Sequence, residues 1–201
     1  MRDSFFFYAV DLQGRPIADE ATILAARRAT CQVAGLSCGE SFTREAHSVG
    51  FECQGPERLE ASVSFSTDDP EWSVLVPDND LQSADGDPIE VTQAATVNLI
   101  RAVLAVMPPY LGTAVWPFGP ADPEVYDATV PFRLRQVGPV LYLSKRYLDS
   151  QLRGTDLADA PVWRREEVAG GLLLLAYPDL LHSPHDGDLD DLWLYLERVH
   201  S

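Results

Sequence analysis

Lysine is almost missing from this 201-residue chain: Lys145 stands alone, and arginine brings the basic total only to 15, against 31 acidic residues. The resulting formal charge of −16 opposes binding to nucleic-acid phosphates or to an anionic membrane surface. A cationic partner is favoured instead. Net charge also serves solubility, so its distribution carries more information than its total. No Lys or Arg occurs from Leu59 through Ile100, where Glu60, Asp68, Asp69, Glu71, Asp78, Asp80, Asp85, Asp87 and Glu90 all fall. A second stretch without basic residues, Glu166 through Glu197, holds Asp179, Asp186, Asp188, Asp190 and Asp191. If the two meet in space, they concentrate a negative field.

Long apolar runs are missing as well. The longest, Val168 to Tyr177, is closed by Pro178-Asp179 and falls short of the roughly 20 residues a membrane helix needs. The amino-terminal run from Phe5 to Val10 is too short for a signal-peptide core and meets a charge at Asp11. The expected location is therefore the cytoplasm, with no membrane partner. Cysteine is sparse and odd in number, with Cys31, Cys38 and Cys53 only, so free thiols are expected rather than a disulfide framework.

Catalytic motifs are lacking too. Ser37-Cys38-Gly39 and Gly39-Glu40-Ser41-Phe42 do not match a nucleophile elbow, and Cys31, Cys38, His47 and Cys53 fit no common zinc spacing. No glycine-rich phosphate loop occurs, since the one adjacent pair, Gly170-Gly171, precedes a leucine run. The segment His182 to Asp191 gathers His182, His185, Asp186, Asp188, Asp190 and Asp191, a set that could hold a divalent metal in an enzyme of unfamiliar type. An EF-hand is excluded, because Gly187 stands too early for Glu197. Aspartates in the first turn of a helix have an ordinary role: they complement its dipole, and Asp188 can cap. No cofactor is expected.

What is present is alternation and helical spacing. Ser4–Leu12 reads as a strand, and Ile17–Val33 as a helix burying Ile23, Ala26, Thr30 and Val33. His47–Cys53, Leu59–Ser66 and Trp72–Val76 read as a meander, and in Leu59–Phe65 apolar and polar residues alternate as in a strand with one wet face. Asp87-Pro88-Ile89-Glu90 starts a helix that Pro108-Pro109 stops, with Thr96, Ile100, Val103, Leu104 and Met107 on its buried side. Thr113–Phe118, Val130–Val137 and Val140–Leu143 read as strands, Ser144–Leu152 as a short helix, and Val162–Val168 and Leu172–Ala176 as further strands. Asp188–His200 is the last helix. Runs of adjacent strands between helices predict an α+β fold, a largely antiparallel sheet packed against helices, as one compact domain over residues 1–201.

The second half resembles the small acidic immunity proteins that bacteria carry against polymorphic and type VI secreted toxins. The resemblance lies in Ala105-Val106-Met107-Pro108-Pro109-Tyr110-Leu111-Gly112, in Trp116-Pro117-Phe118-Gly119-Pro120, and in Leu141-Tyr142-Leu143-Ser144 leading into a short helix. It implies a cytosolic, non-catalytic inhibitor that binds its cognate toxin directly and occludes the active site. An acidic surface suits a toxin with a basic cleft. The expected partner-binding residues are Asp68, Asp69, Glu71, Asp78, Asp80, Asp85 and Asp87, with Asp186 and Asp188 as a second acidic group and Trp116 and Phe118 as apolar anchors. A general protein-interaction domain without a toxin partner is the alternative, and the metal-dependent enzyme at His182 and His185 a third reading.

Overall fold

Phe5–Val10 forms β1, a strand of β-prone residues that takes the middle of the sheet rather than its edge. The structure, a computed structural model, describes residues 5–11, 19–56, 59–77, 90–115, 126–127, 133–134, 137–153, 155–178, 180 and 189–200. In chain order the elements after β1 are α1 (Glu20–Cys31), β2 (Ser37–Cys38), β3 (Thr43–Arg44), β4 (Ser48–Gln54), β5 (Glu60–Ser66), β6 (Glu71–Val76) and α2 (Glu90–Val106). They continue with β7 (Leu111–Val115), β8 (Tyr126–Asp127), β9 (Arg133–Leu134), β10 (Val140–Leu143), α3 (Lys145–Gln151), β11 (Arg164–Val168), β12 (Gly171–Leu175) and α4 (Asp190–Val199). Ten strands make one antiparallel sheet in the order β11-β12-β10-β7-β1-β6-β5-β4-β2, with β3 also on β4; β8 and β9 pair separately. The α+β expectation holds.

The first half of the chain builds the sheet on one side of β1 and the second half on the other. In register Phe7 faces Val74 of β6 and Ala114 of β7, so β1 joins the halves. The helix α2 carries the chain from β6 across β1 to β7. Its Leu99, Ile100, Val103 and Leu104 are buried with Ile23 and Ala26 of α1 against Phe7, Val63, Phe65, Trp72 and Val74. This is the larger core, on one face of the sheet.

A second core lies on the opposite face and covers the second-half strands and the end of β1, where Val10 is buried and Tyr8 packs against it. There Leu141, Leu143, Leu172 and Leu174 meet Tyr147 of α3 and Leu192 and Leu196 of α4. Strands β10 and β12 are thus covered on both faces, which is why they are apolar throughout; β5 and β6, covered on one face, alternate. The β11–β12 hairpin turns on Ala169 (φ 51°) and Gly170 (φ 74°), the pair of left-handed residues that a tight two-residue connection requires.

Two expectations change at the helices. For α4 the N-cap position is Leu189, with no side-chain cap, while Asp188 lies outside the described residues. At α1 the cap is Asp19, whose Oδ1 accepts from Thr22 N at 2.7 Å, and this hydrogen bond holds its carboxyl below the usual range.

Nor are the cysteines all free. Cys31 ends α1, and Gly35 (φ 84°) turns the chain so that Cys38 on β2 comes within 5.7 Å of it, Cα to Cα, as a disulfide. Cys53 remains a buried thiol opposite Cys38 in the β2–β4 register. Desolvation, with Glu52 adding and Arg27 opposing, pushes its pKa up to about 12. An odd total excludes pairing of every cysteine, but not of a pair brought together by a short turn. Purified without reductant and then unfolded, the protein is expected to titrate one thiol per chain, and three after reduction. Three at the outset would show that the bridge does not form.

Candidate functional site

Since no helix among the described residues covers the outer face of β4, β5 and β6, their outward side chains form a surface of their own. Strand alternation puts Glu60, Ser62, Ser64 and Ser66 of β5 on it, beside Glu71, Ser73 and Leu75 of β6 and Glu52 and Gln54 of β4. The register aligns Glu52 with Ser62 and Ser62 with Leu75, then Gln54 with Glu60. Glu52 and Glu60 are therefore diagonal neighbours, a placement that sets residues about 7–8 Å apart. No described Lys or Arg belongs to this set of positions.

The electrostatics reflect that gap. The Glu52 carboxyl is raised above its usual range, first by partial desolvation on the sheet surface and then by the charge of Glu60. A basic group brought from outside would relieve the second cause.

The acidic turn between β5 and β6 borders this face. Ser66 Oγ accepts from the backbone N–H of Asp68 (3.3 Å) and Asp69 (3.0 Å), and Thr67 N donates to His47 O (2.9 Å), so the turn is held against the start of β4. Asp68 is not a bare charge: its Oδ2 lies 2.6 Å from His47 Nδ1 and its Oδ1 accepts from Thr67 Oγ1 at 3.0 Å. These contacts, His47 first, lower its pKa. Asp69 is exposed, while Glu71 is half-buried opposite Val10 of β1.

The structure thus brings together Asp68, Asp69 and Glu71 of the predicted set. Asp78, Asp80, Asp85, Asp87, Trp116, Phe118, Asp186 and Asp188 lie outside the described residues, as do His182 and His185. Among the described residues there is no cluster of three His, Cys, Asp or Glu that could hold a metal. Glu52 and Glu60 were missing from the expected site. The wet face of Leu59–Phe65 already pointed to Glu60, but Glu52 required the register.

Asp68 and Glu52 should titrate on opposite sides of the ordinary carboxylate range. For Asp68, with its folded pKa depressed, ionisation favours the fold above the unfolded value, and this is lost as pH falls through the folded one. For Glu52 the sign reverses: its raised folded pKa makes stability fall as pH rises between the unfolded and folded values. Carboxyl NMR titration checks both. His47→Ala is expected to move Asp68 up towards the ordinary value and leave Glu52 where it is; an unmoved Asp68 would mean the His47 contact does not form in solution.

The fold defines a class, an α+β protein on one antiparallel sheet with helices on both faces. No family model and no curated protein matches the sequence. Among solved structures, the Pseudomonas aeruginosa T6SS protein PA0821 is similar with a TM-score of 0.54, over 98% of this chain and 76% of that one, at 10% identity. At that identity the likeness is one of fold. No described helix is long and apolar enough to cross a membrane.

Proposed function

We propose that this chain is an immunity protein that neutralises a secreted toxin by binding it directly, without chemistry of its own. The outer face of β4–β6 is the docking surface and covers the toxin's active site. The observation that carries the reading is the diagonal placement of Glu52 and Glu60 on a sheet face without described basic residues. A cationic surface would complement such a face. The fold it shares with a T6SS protein supports the same setting.

The partner is a protein toxin with a basic cleft, such as those that act on nucleic acids or nucleotides. Acidic groups steer its approach, and the half-buried Phe6, Tyr8 and Leu75 beside the serines supply apolar contact. The Cys31–Cys38 bridge favours action in an oxidising compartment over the cytoplasm expected from sequence.

Co-expression with the product of the adjacent open reading frame tests the proposal. The expected result is rescue of growth and a one-to-one complex on size exclusion with light scattering. Absence of both, with each protein soluble, would sink it.

A further inference from the structure

A second surface has a different charge signature. Along α2 the residues Glu90, Gln93, Val97, Asn98 and Arg101 line one wall of a groove of about 380 Å³, and Trp163, Arg164 and Leu180 stand across from them. Gln93 fixes the far wall near the Glu90 end: its Nε2 donates to Pro178 O, and its Oε1 accepts from Leu180 N at 2.9 Å.

The other end is basic. Glu166 Oε1 accepts from Arg101 Nη2 at 2.5 Å and also ion-pairs with Arg164 Nε, so among the described residues a single carboxylate serves two guanidinium groups and one positive charge is left over. Arg101 is further held by Asn98 Oδ1, 2.6 Å from its Nη1. Arg164 differs from it. Its side chain is 55% exposed, and its terminal nitrogens find no acceptor among the described residues. That leaves open the fork by which arginine grips a carboxylate in two places. Trp163, 51% exposed, stands next to it as an aromatic anchor.

The groove therefore has polarity: Glu90 at one end, an unspent guanidinium at the other, and Val97, Leu175 and Leu180 between. Arg101 lies eleven positions after Glu90 on the helix, a span of about 16 Å, which about five extended residues cover.

We propose that this groove docks an extended segment of a partner protein bearing a carboxylate at one end, a basic side chain at the other and apolar residues between. The carboxylate binds Arg164, the basic group faces Glu90, and an apolar side chain rests on Trp163. This goes beyond the proposed toxin-binding role. It concerns another face, and it stands whether or not the partner at the acidic face is a toxin.

The probe is the peptide acetyl-Lys-Leu-Leu-Ala-Glu-amide, titrated into 15N-labelled protein to about 10 mM, a range that detects millimolar dissociation constants. Saturable shifts of the Trp163 indole N–H and of α2 amides from Glu90 to Arg101 are expected. Replacing the peptide's Glu by Gln should weaken binding about threefold, and Arg164→Glu about tenfold, within the scale of exposed to partly desolvated ion pairs. Arg164 is exposed enough for the variant to fold, and an unchanged melting temperature checks this. No saturable shift, equal binding of the Gln peptide, or an unaffected Arg164→Glu variant would overturn the proposal. So would acetate alone giving the same shifts at the same affinity, since the groove would then be an anion notch rather than a seat for a segment.

Discussion

Gly138→Ala is expected to cost about 3 kcal/mol or more, at the upper end of overpacking penalties, and to leave much of the protein insoluble. A Cβ at Gly138 would stand 1.5 Å from the carbonyl oxygen of Ala114 and 2.6 Å from its carbon. Both are backbone atoms of β7, which cannot yield, because Ala114 pairs with Phe7 of β1 on one side and Thr113 with Leu141 of β10 on the other. Gly138 is itself tied to that strand, its N–H donating to Thr113 Oγ1 at 3.0 Å. Gly170→Ala is the control: the left-handed φ of 74° is strained for alanine, but nothing lies within 4 Å of the new atom, so about 1 kcal/mol is expected. Urea unfolding measures both. Equal losses would mean that the close approach of Gly138 to β7 is not part of the folded protein.

How much of this was legible depends on how far each feature reaches along the chain. The α2 stripe of Thr96, Ile100, Val103 and Leu104 and the alternation in β5 repeat within a few residues, and both proved to be core and wet face as their periods required. The two-residue strands β2, β3, β8 and β9 have no period to read. Near the start of β7, Gly112 leaves room for the Phe7 ring: a Cβ there would come within 2.6 Å of Phe7 Cζ. That contact belongs to two strands about a hundred residues apart, and no local pattern encodes it. The disulfide and the site share this property. Cys31 and Cys38 meet through a turn, and Glu52 meets Glu60 only through the β4–β5 register. The acidic turn at Asp68 was visible as composition, but its pairing with His47 was not, and that pairing makes it a weaker attractor than a bare count of carboxylates implies.

For that reason the face, rather than the turn, should dominate binding. The double variant Glu52→Lys/Glu60→Lys is expected to lower affinity for the adjacent gene's product by about a hundredfold or more, since it replaces two attractions by like-charge contacts costing several kcal/mol. Most of the early loss should appear in the association rate, and the steep salt dependence of the wild-type rate should flatten or invert. Glu52→Gln/Glu60→Gln removes the attraction without adding repulsion and should lose about tenfold, with stability unchanged within about 0.5 kcal/mol or slightly improved, because the neutral pair no longer carries its repulsion. Asp68→Asn, by contrast, removes a charge already engaged by His47 and should change affinity less than either pair variant. Surface plasmon resonance at two ionic strengths ranks the three. A lysine pair that binds like wild type while melting at the same temperature would move the docking surface elsewhere on the molecule, because no other pair of described carboxylates combines an outward sheet position with a pKa raised by its neighbour.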